Sequence, residues 1–319
     1  MVKMHAVTAA ACLASALMLA PAGASEIADF DPARHNRFVG GNATSGTNVP
    51  NPTYLLAGED LSAVGVNGVG GVLISPRHVL SATHNSGGTS NFGFVNSAGT
   101  FVSIAGQSSR VLATLDSTST NQSTDLRLVY LSREITAADL LTPMAIGVGD
   151  DALFAGLEAY VYDVADRTGR NLIDGGRVYD NANDQEAFVG PIVDFALAGQ
   201  GTTRGLAYDF DTDDNGGTNG LGGDEMGVSG GDSGQALLSY TEGGDLAVIG
   251  IHSAISFDQD VALRDQPYTS FSAQLSAYAG QIDSFVTSDG YAASFVLVPE
   301  PTSLALLGAG GLLMLRRRR

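Results

Sequence analysis

The chain has 319 residues, 44% of them hydrophobic, with 41 glycines, no tryptophan and a formal net charge of −18. This composition supplies one large or two small cores and favours many short strands joined by turns. The central body, residues 38–298, contains no lysine and is strongly acidic, which excludes a nucleic-acid-binding protein because phosphate binding needs a basic surface.

The N-terminal stretch predicts a secretory signal. Met1–Ala24 combines a positive start at Lys3, an apolar run over Ala9–Ala20 and the small-residue pattern Ala22-Gly23-Ala24. Cys12, the single cysteine of the chain, lies inside the apolar run. We therefore expect an exported bacterial protein whose processed form has no disulfide and is stabilised by its core.

The part of the chain after the signal is predicted to hold a propeptide and then one folded domain. Residues 25–37 are short, polar and charged, as propeptides are, and they end at the sequence Arg37-Phe38-Val39-Gly40-Gly41. Residues 38–290 alternate short apolar runs with glycine, which is typical of small antiparallel barrels. We place one barrel at about residues 38–140, a second at about 141–272 and a closing helix at 273–286.

Three side chains of this domain are candidates for nucleophilic catalysis. His84 ends a strand in a small-residue turn, Asp125 opens a later strand, and Ser233 lies in the glycine-rich turn Gly227–Gly234. A serine hydroxyl needs a neutral imidazole to take its proton, and a carboxylate can hold that imidazole in the correct tautomer. The chain order His, Asp, Ser disfavours an α/β-hydrolase, in which the histidine comes last.

These motifs resemble those of the trypsin-like (chymotrypsin-fold) serine proteases, over roughly residues 38–286. The resemblance implies an all-β fold of two six-stranded antiparallel Greek-key β-barrels with a C-terminal helix. It also implies a serine endopeptidase that hydrolyses peptide bonds of a protein or peptide substrate and requires no cofactor. Ser233 would be the nucleophile, His84 the general base and Asp125 the residue that orients His84, while the N–H groups of Gly231 and Ser233 would form the oxyanion hole.

The sequence around Arg37 resembles the activation junction of the same family. Cleavage after Arg37 would free the ammonium of Phe38, which the resemblance pairs with Asp232. A buried ion pair of this kind can fix one conformation. Phe38 departs from the isoleucine or valine that the family usually carries at this position.

The residues that match the family's substrate pocket do not indicate a preference for basic side chains. Gly227 stands where trypsins carry an aspartate. His252 falls where glutamate-specific relatives place a pocket histidine, although a core histidine bonded to the backbone is the favoured interpretation. Ser253 resembles the serine that supports the catalytic aspartate, and Ile255 should narrow the pocket entrance. We expect cleavage after a small apolar or an acidic residue.

An acidic segment matches the first half of a calcium-binding loop. Asp211, Asp213 and Asn215 have the spacing of calcium ligands, but the twelfth position of the loop is Gly222 rather than glutamate. A calcium site is therefore one interpretation, and a solvated acidic loop is the favoured one.

The C-terminal tail, residues 291–319, predicts a sorting signal. Pro299-Glu300-Pro301 is followed by the apolar run Leu304–Leu315 and by four arginines. Twelve residues of helix rise only about 18 Å, which is short of a membrane core of roughly 30 Å. The tail resembles the PEP-CTERM signal of Gram-negative bacteria. This implies transient membrane anchoring, removal by an exosortase-type transpeptidase and a final place in the cell envelope or outside the cell.

A second class of function stays open at this point. Gln235-Ala236 replaces the Gly-Pro that commonly follows the serine turn in trypsin-like proteases. A non-catalytic surface or extracellular-matrix protein on the same fold is therefore the alternative to an enzyme.

Overall fold

The computed structural model of the chain describes residues 25–66, 70–85, 90–180, 185–211, 220–258 and 266–300. The predicted signal peptide (residues 1–24) lies outside these residues, as does the part of the predicted tail from residue 301 onwards. Most of the regular structure in the described residues is β-strand, arranged in two curled antiparallel sheets. The predictions of a mostly β fold and of a small C-terminal helix are confirmed.

The first sheet follows a one-turn helix, α1 (Pro32–His35), and has six strands in the order β1-β4-β5-β6-β3-β2. A bridge between Val64 and Val72 joins the two edges of this sheet, so the sheet curls back on itself. Its strands are β1 (Gly65–Val66), β2 (Val72–Ser75), β3 (His78–Ala82), β4 (Asn91–Val95), β5 (Phe101–Ala113) and β6 (Ser123–Leu131).

The second sheet contains nine strands, with the main order β12-β13-β16-β15-β14-β8-β9 and with β7 and β17 at its side. Its strands are β7 (Ile146–Val148), β8 (Glu158–Tyr162), β9 (Thr168–Leu172), β12 (Ile192–Phe195), β13 (Thr203–Phe210), β14 (Ala236–Tyr240), β15 (Leu246–Ser256), β16 (Tyr268–Gln274) and β17 (Phe295–Leu297). A separate hairpin consists of β10 (Gly176–Asp180) and β11 (Gln185–Val189), and a short helix α2 (Asp151–Phe154) precedes β8.

The expectation of six antiparallel strands in the second barrel is corrected by this sheet. Strand β7 lies parallel to β15 at the pair Ile146–Val248, and β17 in turn lies parallel to β7. The sequence pattern did not predict these pairings because parallel partners lie far apart along the chain and no turn signal connects them.

The two sheets share one hydrophobic core with the C-terminal helix α3 (Leu275–Ser288). The helix buries Leu275, Tyr278, Ile282 and Val286, which are spaced so that they lie on one face. The core cluster joins residues of the first sheet, such as Leu80 and Val129, to residues of β14 and β15 in the second. This shared core fixes the loops of one sheet against those of the other.

Residues 25–37, predicted to be a propeptide, are packed into the folded body. Ile27 bridges Met226, Asn36 bridges Arg167, and Arg34 forms an ion pair with Asp224. Two short 3-10 helices, Ala137–Asp139 and Gly222–Asp224, complete the regular structure of the described residues. In the described chain, residues 25–37 therefore contact the same folded body as the residues after Phe38, and the predicted propeptide boundary at residue 37 stays a prediction.

Within the described residues, no helix is both long and apolar enough to cross a membrane. The apolar run Leu304–Leu315 lies outside the part of the chain that the structure describes.

Candidate active site

The three candidate catalytic side chains meet where the two sheets adjoin. His84 follows the end of β3 and Asp125 lies near the start of β6, so both come from the first sheet. Ser233 lies in the loop before β14 and is supplied by the second sheet. Residues separated by 41 and 149 positions along the chain are thereby brought into hydrogen-bonding distance.

A continuous hydrogen-bonded chain runs through the three residues. The Nδ1 atom of His84 lies 2.9 Å from each carboxylate oxygen of Asp125, and its Nε2 atom lies 2.7 Å from Oγ of Ser233. The Asp125 side chain is fully buried, whereas 22% of the His84 side chain is exposed to the cleft. The imidazole is thus held from the protein side and is accessible from the solvent side.

This arrangement selects one tautomer of His84. A carboxylate accepts hydrogen bonds, so the proton of the neutral imidazole lies on Nδ1, which faces Asp125. The Nε2 atom is then free to accept the hydroxyl proton of Ser233. In chemical terms, the arrangement can turn a weak hydroxyl nucleophile into an effective one.

Two further donors and one acceptor hold the carboxylate and the backbone of Asp125. The side-chain Nε2 of Gln200 donates to Oδ1 of Asp125 at 3.0 Å, and the backbone N–H of His84 donates to the same oxygen at 3.0 Å. The backbone N–H of Asp125 donates to Oγ1 of Thr203 on β13 at 2.9 Å. Gln200 and Thr203 belong to the second sheet's side of the cleft, so they fix Asp125 across the boundary between the sheets.

The turn that carries Ser233 contains two backbone N–H groups without a protein acceptor among the described residues. Gly231 has a φ of +107° and Gly234 a φ of +87°, a conformation that glycine adopts without strain. Among the described residues, neither the N–H of Gly231 nor that of Ser233 donates a hydrogen bond to a protein acceptor. Two such free donors next to a nucleophile form the arrangement that stabilises a developing oxyanion.

The serine turn is held in place by contacts with both sheets. The N–H of Gly234 donates to the carbonyl of His252 at 2.8 Å, and the side-chain amide of Asn85 donates to the carbonyl of Ser233. Gly70 approaches so closely that a Cβ atom there would lie 2.8 Å from the Ser233 carbonyl oxygen. Glycine is therefore required at position 70 for the two sheets to meet at this turn.

Phe38 and Asp232 lie apart in the described chain, in which the Arg37–Phe38 bond is intact. Phe38 is buried in a cluster with Ala43, Val66 and Val95. The hydroxyl of Ser25 donates to Asp232. The predicted pairing of Asp232 with a freed Phe38 ammonium requires cleavage after Arg37, so it stays a prediction.

The other contacts of Asp232 brace the serine turn. Its carboxylate accepts the N–H of Val164 at 3.0 Å and the N–H of Ser229 at 2.7 Å. Burial raises the pKa of this carboxyl above its ordinary value. Asp232 therefore links the serine turn to the loop after β8, and its buried carboxylate does not face the solvent.

Gly227 and Ile255 are two of the four predicted pocket residues. Gly227 is buried, and a Cβ atom there would lie 2.5 Å from the hydroxyl oxygen of Tyr268. Ile255 is half-buried on β15, opposite Ser270 of β16, and packs against the second hydrophobic cluster. A side chain larger than glycine at position 227 would therefore collide with the Tyr268 ring.

His252 and Ser253, the other two predicted pocket residues, are core residues in this structure. His252 is 1% exposed; its Nε2 donates to the carbonyl of Tyr162 at 3.1 Å, and its Nδ1 accepts from the hydroxyl of Ser272 at 2.8 Å. Burial lowers the pKa of His252 to about 3, so it is neutral. The hydroxyl of Ser253 donates to the carbonyl of Ile251 at 3.2 Å and does not reach Asp125.

The predicted calcium loop lies mostly outside the described residues. Asp213 and Asn215 are not among them, and Asp211 is buried near Asp174 and Asp209. Burial and mutual repulsion raise the pKa of Asp174 to about 6 and that of Asp209 to about 7. In the described part of the chain, no group of three or more His, Cys, Asp or Glu side chains is arranged to hold a metal ion.

Gln200, Asn85 and Ser25 are site residues that the sequence did not single out. Asn85 directly follows His84, and this adjacency is the only sequence signal that any of the three offers. Gln200 lies in the loop between β12 and β13, and Ser25 is the first described residue. No sequence motif marks either of them. Only the packing of the two sheets brings them to Asp125 and Asp232.

Residues 297–319 match the PEP-CTERM protein-sorting motif. No curated protein matches the chain. The motif indicates an exported protein that exosortase-type sorting machinery recognises, in the manner of Gram-negative envelope sorting. The prediction of a C-terminal sorting signal is therefore confirmed.

Proposed function

We propose that this protein is an exported serine endopeptidase with a trypsin-like arrangement of two Greek-key barrels. The observation that carries the proposal is the hydrogen-bonded chain Asp125–His84–Ser233, with distances of 2.9 and 2.7 Å, in an accessible cleft. The two unpaired N–H groups of Gly231 and Ser233 support it. Each feature alone occurs in structural roles, whereas their combination supports acyl transfer.

The reaction follows from these positions. Oγ of Ser233 attacks the carbonyl carbon of the scissile peptide bond while Nε2 of His84 takes the hydroxyl proton. The N–H groups of Gly231 and Ser233 bind the oxyanion of the tetrahedral intermediate. His84 then protonates the leaving amine, and an acyl-enzyme remains on Ser233. A water molecule, deprotonated by His84, hydrolyses the acyl-enzyme. Every step uses groups of the chain itself, and the proposal includes no cofactor.

The cleft wall favours a small, uncharged side chain next to the scissile bond. A basic side chain would need a carboxylate at its end, and Gly227 supplies none. Tyr268 lies against Gly227 and shortens the space, while Ile255 narrows it from β15. An acidic side chain has no partner in His252, which is neutral and fully engaged in the core. Of the two side-chain classes that the sequence left open, we therefore propose the small apolar one.

Cleavage of a mixed peptide library, read by mass spectrometry, tests this proposal. We expect cleavage mainly after small apolar residues, and a loss of about 10⁴-fold in kcat or more for Ser233→Ala and for His84→Ala. Ser284→Ala, a change of an exposed serine on α3, serves as the matched control and keeps full activity.

Three results would contradict the proposal in different ways. Unchanged cleavage in Ser233→Ala would show that the activity belongs to a contaminant or to another site. No cleavage of any peptide by the folded wild-type chain would favour a non-catalytic surface protein on this fold. A strong preference for arginine or lysine would refute the assigned pocket while leaving the triad in place.

A further inference from the structure

The first described residue, Ser25, lies inside the protein next to the serine turn. Only 3% of Ser25 is exposed, and its hydroxyl donates to Oδ2 of Asp232. Its carbonyl oxygen accepts from Nη2 of Arg167 at 2.6 Å. The α-nitrogen of Ser25 is bonded to the carbon next to the one that carries the hydroxyl, so it too lies near Asp232.

The charges around Ser25 do not balance. Two carboxylates, Asp163 and Asp232, are both fully buried, and Asp163 pairs with Arg167 at 2.6 Å. Among the described residues, Asp232 accepts only from neutral donors, namely the Ser25 hydroxyl, two backbone N–H groups and the Ser229 hydroxyl. Burial raises the pKa of both carboxyls. The negative charge of Asp232 raises the pKa of Asp163 further. One further positive charge is needed for both to be ionised.

We infer that signal-peptide removal supplies this charge: hydrolysis of the Ala24–Ser25 bond gives Ser25 an α-ammonium that pairs with Asp232, and no cleavage after Arg37 is needed. The hydrolysis consumes one water molecule and leaves a carboxylate on Ala24 and an ammonium on Ser25. The predicted Ala22-Gly23-Ala24 cleavage pattern ends at this bond. The inference rests on the proposed function, because it assigns the step that completes the catalytic conformation.

The residues that follow Ser25 make the alternative, cleavage after Arg37, incompatible with this fold. Arg37 is 7% exposed, and its guanidinium donates to the hydroxyl of Tyr162 and to the carbonyl of Leu61. A protease that recognises arginine would have to extract this side chain from the core. Freeing Phe38 would also require its removal from the cluster with Val66 and Val95.

The segment after Ser25 links the new N-terminus to the cleft. The N–H of Gly227 donates to the carbonyl of Glu26, Ile27 bridges Met226, and the N–H of Ala28 donates to the carbonyl of Glu225. This segment therefore supports the cleft wall at Gly227. Its first residue supports Asp232, whose neighbours Gly231 and Ser233 provide the N–H groups for the oxyanion. The ammonium of Ser25 would therefore stabilise the turn that provides these N–H groups.

The chain offers an unusually direct test, because its only lysine is Lys3. In a chain of residues 25–319, the α-amine is the sole primary amine. We would release this chain from a cleavable fusion with Ser25 first, and release a matched chain with one additional glycine before Ser25. Acetylation by a water-soluble N-hydroxysuccinimide ester, followed by intact mass, then reports the exposure of the N-terminus alone.

We expect the native Ser25 chain to be acetylated at least about tenfold more slowly than the same chain in denaturant, because a buried ammonium in an ion pair is not nucleophilic. The glycine-extended chain and the Asp232→Asn variant of the Ser25 chain should lose this protection. Circular dichroism identifies any variant that fails to fold. Equal acetylation rates for the native and denatured Ser25 chain would overturn the inference.

Labelling by a fluorophosphonate on the same samples separates this inference from the proposed function. We expect the Ser25 chain to react at least about tenfold faster than the glycine-extended chain. If both folded chains react equally fast, the inference fails and the proposed function stands. If the amine of the Ser25 chain is protected but neither chain reacts, the ion pair stands and the proposed function fails. An active chain that begins at Phe38 by intact mass would also overturn the inference.

Discussion

Gln200 is the residue whose contribution to the candidate site is easiest to isolate. It donates to Oδ1 of Asp125 at 3.0 Å from the loop between β12 and β13, and it does not touch His84 or Ser233. Because Ser253 bonds to the Ile251 carbonyl instead, Gln200 is the side chain that holds the buried carboxylate from the second sheet.

The variant Gln200→Ala should lower kcat by about 10- to 100-fold, because a hydrogen bond to a charged group is worth about 1.5–3 kcal/mol. Its KM should change little, since Gln200 lies behind Asp125 and away from the substrate. Steady-state kinetics on the best peptide substrate measure both quantities. Gln281→Ala on α3 is the control, and a KM effect without a kcat effect would show that Gln200 shapes the pocket instead.

Glu225 is a second residue with a measurable consequence. Burial, together with repulsion from Asp211 and Asp209, raises the pKa of Glu225 from 4.5 to about 9. A carboxyl whose pKa is raised by folding stabilises the folded state below its unfolded pKa, and this contribution is lost as the pH rises towards the folded pKa. The wild-type protein should therefore lose stability between about pH 5 and pH 9.

The variant Glu225→Gln removes this ionisation and keeps an oxygen to accept the N–H of Leu221. It should raise the melting temperature at about pH 8, with a smaller gain at about pH 5. Differential scanning calorimetry at both values measures the difference, and Glu242→Gln at an exposed turn is the control. A gain that is the same at both pH values would show that the carboxylate charge of Glu225 is not the cause.

At the scale of elements, strand β17 marks the boundary between the folded body and the sorting tail. Its residues pair with β7, the N–H of Val298 donates to the carbonyl of Val148 at 3.0 Å, and Val298 is 1% exposed. Pro299-Glu300-Pro301 begins directly after this buried residue. The tail can therefore be removed after the motif without exposing the core.

A chain that ends at Pro301 should melt at the same temperature as the full chain, because it keeps β17 and the buried Val298. A chain that ends at Ala293 loses β17 and Val298, and its melting temperature should fall by about 5 °C or more. Thermal unfolding followed by circular dichroism measures both. An equal melting temperature for the two truncated chains would show that β17 does not contribute to the stability of the body.

Elements with a local signal were predictable from the sequence, and elements that depend on distant partners were not. Helix α3 was predicted at 273–286 and lies at Leu275–Ser288, because its apolar spacing is visible within the segment itself. The parallel pairing of β7 with β15 has no such signal. The contacts of residues 25–37 were missed for the same reason, since their partners lie about 190 residues further along the chain.

At the scale of the whole molecule, the candidate site exists only because the two sheets pack against each other. His84, Asp125 and Ser233 could be proposed from the sequence because acyl transfer demands specific side chains in a known chain order. The burial of His252 and the contact of Gln200 with Asp125 could not be predicted from the sequence, because both depend on which faces of the two sheets meet. The C-terminal sorting motif was predictable from the sequence, since such a motif is a linear sequence.

Labelling of the folded chain with a fluorophosphonate, followed by peptide mapping, tests directly whether Ser233 is an activated nucleophile. We expect one covalent adduct per chain, located on Ser233. The adduct should be absent in Ser233→Ala and in the chain denatured before labelling, and its rate of formation should fall by about 10³-fold or more in His84→Ala. A folded wild-type chain that forms no adduct, or an adduct on a serine other than Ser233, would contradict it.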